Sequence, residues 1–241
     1  MDWEHLPWLY RSSFSDIKLL ESGSWGWRVR VGLQPAGEVV DSELRIERDQ
    51  GRYVTRTTAG VGEGSEIWTR LEPLSAQRTG IEVEFLLPNL IREQAEGLAV
   101  AYMRLYTQLW DGDEAMMMRC EQLLSRRRPA RIGGDALLTR GALEDVRAQL
   151  PLVVELDGRP FRVVELDGAL VAHSIVCPHS LGPLDDAPLE HGCIRCPWHG
   201  DRYDVRSGRS VDDQGLWLGP APRVETDCNS QQVRLVWDAS A

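Results

Sequence analysis

Two short boxes in the carboxyl-terminal half bring metal-binding donors together at fixed spacing: Cys177-Pro178-His179 and Cys196-Pro197-Trp198-His199-Gly200. Each box offers one soft thiolate and one imidazole, and each is short enough to form the tip of a loop. Two Cys and two His can hold zinc tetrahedrally, but zinc sites usually pair Cys-x-x-Cys with His-x-x-x-His. Mixed boxes point to iron instead. With two thiolates on one iron and two neutral imidazoles on the other, a 2Fe-2S cluster carries less negative charge than an all-thiolate cluster, so its reduction potential rises. The donor set suits one-electron chemistry.

The pattern Cys-x-His followed by Cys-x-x-His-Gly resembles the Rieske family, over roughly Leu138 to Val236. Gly182-Pro183-Leu184, beyond the first box, and Tyr203-Asp204, beyond the other, also resemble the family. Gly219-Pro220-Ala221-Pro222 resembles the proline loop that shields the cluster from water. The resemblance implies Cys177, His179, Cys196 and His199 as ligands, with Tyr203 placed to donate a hydrogen bond to a ligand sulfur. The high-potential branch of the family carries one further cysteine in each box. Gly182 and Trp198 stand at those places here, and Asp201 replaces a serine, so the chain looks like the ferredoxin and oxygenase branch. Cys193 reads as a small buried hydrophobe on the strand entering the second box. His173 and His191 read as surface or turn residues.

A second constellation lies near the amino terminus. Rieske oxygenases carry Asp-x-x-His-x-x-x-x-His on a helix of a helix-grip catalytic domain and a third, acidic ligand on its long final helix. In this chain Asp2 and His5 match the pattern and Tyr10 stands where the second His belongs. Asp113 is the acidic candidate, with Asp111 and Glu114 as neighbours. The resemblance implies a mononuclear non-haem iron at His5 and Asp113, with Asp2 and Tyr10 beside them, although phenolate ligation favours ferric iron. The domain order is the reverse of the oxygenases. The bland alternative is that His5 and Tyr10 line a pocket mouth and the acidic residues form a solvated turn.

The elements that must position these residues fall into two sets. Alternating apolar and polar segments at 26–33, 42–48, 53–58, 65–71 and 80–87 predict an antiparallel meander. A short helix at 5–14, with Pro7 in its first turn, precedes them. From 89 to 124 the apolar period becomes three to four, which predicts one long helix that Gly112 kinks or interrupts. Short helix, curved sheet, long helix resembles the START-like helix-grip fold. Trp3, Trp8, Trp25, Trp27, Trp68 and Trp110 then either line an apolar pocket or pack its core, and Met116 to Met118 read as core.

Residues 125–135, SRRRPARIGGD, are basic and poor in apolar side chains and read as a linker. Beyond them, short strands at 152–155, 161–165, 170–175, 192–195, 202–205 and 232–237 alternate with the turn signals Asp157-Gly158 and Asp167-Gly168. The expected fold class is therefore α+β: a START-like helix-grip domain at 1–125, a linker at 126–135 and an all-β Rieske domain at 136–241.

Composition limits the partners. The net charge is -10, from 37 acidic and 27 basic residues, which disfavours nucleic acid and anionic membranes. No apolar run reaches the roughly 18 residues that span a bilayer, and MDWEHLPWLY lacks the basic and apolar regions of a signal peptide. The expected compartment is the cytoplasm, where the five cysteines, an odd count, serve metal rather than disulfides. Three functions fit: an oxygenase-like oxidoreductase passing electrons toward a hydrophobic-substrate pocket, an electron-transfer protein with a docking or ligand-binding domain, and a redox-responsive binder of a hydrophobic or aromatic molecule. With no G-x-G-x-x-G fingerprint for a nicotinamide or flavin, a separate reductase or ferredoxin must supply electrons. Resemblance to the oxygenases also implies a homo-oligomeric ring.

Overall fold

The computed structural model describes residues 2–88, 90–125, 135–139, 143–212, 215–227 and 232–237. Of the expected linker, residues 126–134 lie outside the described residues, as does Cys228. The described chain forms two compact units that divide between Gly112 and Asp113.

The first unit opens with α1 (Leu6–Leu9), followed by β1 (Phe14–Gly23), β2 (Gly26–Leu33), β3 (Val39–Glu47), β4 (Arg52–Ala59), β5 (Glu66–Ser75) and β6 (Arg78–Leu86). These strands pair in chain order as one six-stranded antiparallel sheet. The expected helix at 5–14 is shorter than its apolar run implied: it ends at Leu9, and Phe14 already belongs to β1. Apolar and polar residues do not alternate cleanly along this strand, so the signal of β1 is its pairing, Ile17 with Val31 and Leu19 with Val29.

Register gives the sheet two chemically distinct faces. Trp27, Leu44, Thr55, Ile67 and Phe85 are successive cross-strand partners and share the apolar face. On the same face Val29, Val31 and Val40 are buried, with Trp3, Phe14 and Ile17 packed against them. The opposite face carries charges set directly across from one another: Arg30 on Asp41, Arg28 on Glu43, Arg56 on Glu66 and Arg70 on Glu82. Cross-strand pairs of this kind contribute roughly 0.2–1 kcal/mol each. The Arg45 and Arg28 guanidiniums hold the Glu43 carboxyl below its ordinary range despite its burial.

Helix α2 (Arg92–Ser125) runs for 34 residues. It continues through Gly112 rather than breaking there. A Cβ at Gly112 would strike the Tyr10 phenol, with Cε1 and Cζ each 3.0 Å away, so a residue costing about 1 kcal/mol of helix propensity is kept for close approach. Tyr102 and Tyr106 set their rings 4.7 Å from Phe85, and burial pushes both phenols above their ordinary range. Most of the tryptophans are structural. Trp8, Trp25 and Trp68 stack under Arg11, Arg45 and Arg52, and Trp3 and Trp27 pack on the core.

The second unit holds the last turns of α2, then β7 (Asp135–Thr139), α3 (Leu143–Arg147), β8 (Leu152–Leu156), β9 (Arg159–Leu166), β10 (Ala169–Ser174), β11 (Leu189–Glu190), β12 (Cys193–Arg195), β13 (Arg202–Asp204), β14 (Arg223–Thr226) and β15 (Val233–Val236). Its strands form three three-stranded sheets, β10-β9-β8, β11-β12-β13 and β14-β15-β7. Both Asp-Gly pairs take positive φ, 53° and 73° at 157–158 and 51° and 77° at 167–168, as tight hairpins require. Leu156, Phe161, Val163, Ala172, Leu235 and Trp237 form the core, each large side chain worth about 1.5–3 kcal/mol of burial. Met116 is 4% exposed, whereas Met117 and Met118 are open to solvent, so only the first of the three is core.

Candidate metal centre

The first box occupies the loop after β10. Cys177 N–H donates to Gly182 O at 2.9 Å and Leu181 N–H donates to Cys177 O at 3.0 Å, so the loop closes on itself around His179. Closure places Leu181 at φ 61°, an uncommon conformation for a residue with a bulky side chain. The second box is the tip of the β12–β13 hairpin. There Cys196 N–H donates to Asp201 O at 2.8 Å and Gly200 N–H to Cys196 O at 2.9 Å.

The two loops converge through Gly182. A Cβ at this position would lie 2.7 Å from Cys196 Sγ and 3.2 Å from two atoms of the Trp198 ring. Gly182 and Trp198, at the two places where the high-potential branch carries its further cysteines, therefore pack directly.

Convergence sorts the donors by chemistry. Cys177 and Cys196 are fully buried, and each has its sulfur within 4.8 Å of the other and of the Asp201 carboxylate. The His179 and His199 rings stand 4.4 Å apart between centroids, and their nitrogens lie within 4.8 Å of that same carboxylate. Two thiols on one side and two imidazoles on the other match the donor set of a 2Fe-2S cluster, and the glycine-walled cradle admits no side chain between them. The residues fit the group. Bound there, it would supply one-electron transfer at a potential raised by the imidazoles.

Neighbouring polar groups prepare the site. The Tyr203 hydroxyl, fully buried on β13, is 3.3 Å from Cys177 Sγ. The Cys196 thiol and then the Tyr203 hydroxyl hold the Cys177 thiol below its ordinary range, while the same sulfur contact and burial push Cys196 up. Asp201, 3% exposed, places Oδ2 2.9 Å from His179 Nδ1. Of the two candidate histidines, His179 is the exposed one, its side chain 32% accessible, whereas His199 is buried.

Arg162 on β9 holds the exit of the first loop, donating to Leu184 O at 3.4 Å and Ala187 O at 2.6 Å. Burial lowers its pKa. Local spacing did not single it out, although a lone charge inside the buried run Phe161–Val164 is a usable signal. His173, read from sequence as a surface or turn residue, is instead 1% exposed and directly across from Arg162. Its Nδ1 lies 2.9 Å from Ser174 O, and burial lowers its pKa. His191 is the exposed turn residue expected, at φ 51°. Cys193 lies on β12 as expected, half-buried.

The amino-terminal candidates divide between the units. Asp2, His5 and Tyr10 belong to the first, with Asp2 Oδ2 3.5 Å from His5 Nδ1 and the His5 and Tyr10 rings edge to face at 5.8 Å. Tyr10 is 3% exposed and its hydroxyl donates to Leu109 O at 2.7 Å. Asp113 lies on α2 in the second unit and is half-buried.

Residues 138–216 match the Rieske [2Fe-2S] domain. The chain is 31% identical over 70 residues to the ferredoxin component of the naphthalene 1,2-dioxygenase system of Pseudomonas putida, covering 29% of this chain and 67% of that protein. It is 32% identical over 78 residues to the oxygenase component of dicamba O-demethylase from Stenotrophomonas maltophilia, covering 30% of this chain and 21% of that one. The solved ferredoxin of carbazole 1,9a-dioxygenase from Nocardioides aromaticivorans IC177 aligns with 23% identity and a TM-score of 0.36, over 43% of this chain and 99% of its own. The second unit therefore carries a Rieske [2Fe-2S] domain, and the chain belongs to the Rieske family. No described helix is long and apolar enough to cross a membrane.

Proposed function

We propose that this chain is a one-electron carrier of a dioxygenase-type system, taking electrons from a reductase or ferredoxin and delivering them to an oxygenase partner. The observation that carries the reading is the asymmetry of the site. Both cysteines and Tyr203 are fully buried while His179 reaches the surface, which gives a docked partner a short path to the site through His179. Relatives that are ferredoxin components of dioxygenase systems support it. On this reading the first unit, a START-like helix-grip domain, docks a partner or holds a hydrophobic molecule, and the protein works in the cytoplasm.

A second reading makes the chain itself oxygenase-like, with a mononuclear iron held by His5 and Asp113 and flanked by Asp2 and Tyr10. The close Asp2–His5 pair favours it. Against it stands the Tyr10 hydroxyl, which keeps its proton to donate to Leu109 O and so does not serve as a phenolate ligand.

Iron and acid-labile sulfide per chain, measured on anaerobically purified protein, separate the two. About two iron atoms for two sulfides supports the carrier. About three iron atoms for two sulfides, with the excess lost in His5→Ala, overturns it in favour of the oxygenase.

A further inference from the structure

The carboxyl-terminal turns of α2 precede residues 138–216, the extent of the Rieske match, yet they belong to the same compact unit. Two consecutive residues there reach the first cluster loop. The Cys120 thiol donates to Ser180 O at 3.0 Å, and Arg119 Nε donates to Leu181 O at 3.4 Å. Met116, 4% exposed, sits three and four residues earlier and shares their helix face.

The carbonyls they engage belong to the residues directly after His179. The loop's own bonds, Cys177 N–H to Gly182 O and Leu181 N–H to Cys177 O, tie its two ends together and do not use the carbonyls of Ser180 or Leu181. Leu181 is also the residue held at positive φ, so its conformation needs support from outside the loop. The helix supplies that support at the two carbonyls that follow His179 in the chain.

We propose that the last turns of α2 clamp the first cluster loop, with Arg119 and Cys120 as positioning residues for His179 that lie outside the Rieske module itself. The inference rests on the family assignment and not on which partner the cluster serves.

The test uses full-length, cluster-loaded protein. Chelator-driven bleaching of the visible spectrum gives the rate of cluster loss, and EPR of the reduced protein reports the ligand environment. Losing one such hydrogen bond, worth about 0.5–1.5 kcal/mol, is expected to speed bleaching roughly 2- to 12-fold in Cys120→Ala. Arg119→Ala is expected to act in the same direction and the double variant to exceed either. Cys120→Ser, which restores a donor, should return the rate and the EPR spectrum toward those of the parent. Should the double variant fail to load, the single variants and the serine rescue decide. A Cys120→Ala protein that bleaches at the parental rate with an unchanged EPR spectrum overturns the proposal. So does a lowered melting temperature with no change in either cluster signal, since that is the mark of a merely structural helix.

Discussion

Replacing Tyr203 by Phe deletes one oxygen and leaves the ring. Because the side chain is fully buried and its hydroxyl stands 3.3 Å from Cys177 Sγ, the substitution removes one O–H···S bond with little change in packing. A hydrogen bond to a charged acceptor is worth about 1.5–3 kcal/mol. Only the part that differs between oxidation states moves the potential. Reduction adds negative charge that the ligand sulfur shares, so the bond is stronger in the reduced form. Taking the difference as about 0.5–1.5 kcal/mol, and about 59 mV for each 1.4 kcal/mol in a one-electron couple, the potential of Tyr203→Phe falls by roughly 20–60 mV. Protein-film voltammetry on fully loaded protein, at fixed pH and ionic strength, reads this directly. An unchanged or higher potential would refute the reasoning, because it would mean that the hydroxyl does not stabilise the reduced state.

The same geometry sets three further outcomes. Asp201→Asn removes a carboxylate within 4.8 Å of the candidate ligand atoms; two unit charges about 4.8 Å apart at an effective dielectric of about 20 interact by about 3.5 kcal/mol, so voltammetry should show a rise on the order of 100 mV. Gly182→Ala drives a Cβ to 2.7 Å from Cys196 Sγ, and its iron and sulfide content after reconstitution should fall well below the parental value. Gly112→Ala sets a methyl group against the Tyr10 phenol, and thermal melts should show a loss of about 1–3 kcal/mol despite the better helix propensity of alanine.

The two cluster boxes were legible because the ligands and the turn residues between them are consecutive in sequence, so spacing alone carries the chemistry. The meander from β2 to β6 was legible for a similar reason. One face of each strand meets apolar neighbours and the other meets a charge of opposite sign, and period-two alternation records both. β1 escaped because its place is set by pairing with β2 rather than by its own alternation. The end of α1 is not legible, because an apolar run does not say where a turn gives way to a strand. Gly112 signals a kink or interruption in the sequence, because the Tyr10 ring that explains it is about a hundred residues away in the chain.

The residues that sequence reasoning missed share a property: each acts on a backbone group far away in the chain. Arg162 reaches Leu184 and Ala187, and Cys120 reaches Ser180. Backbone acceptors have no residue identity, so nothing at the receiving position marks the contact. What is left in the sequence is only the donor, and it stands out where its environment is otherwise apolar, as at Arg162 between Phe161 and Val163. By that criterion His173, inside a hairpin of buried residues and across from Arg162, was also recoverable. Arg119 and Cys120 were not, because half-exposed polar residues on a helix are the common case. Their role emerges only when Ser180 and Leu181, two carbonyls beside the candidate ligand His179, are asked where their hydrogen bonds go.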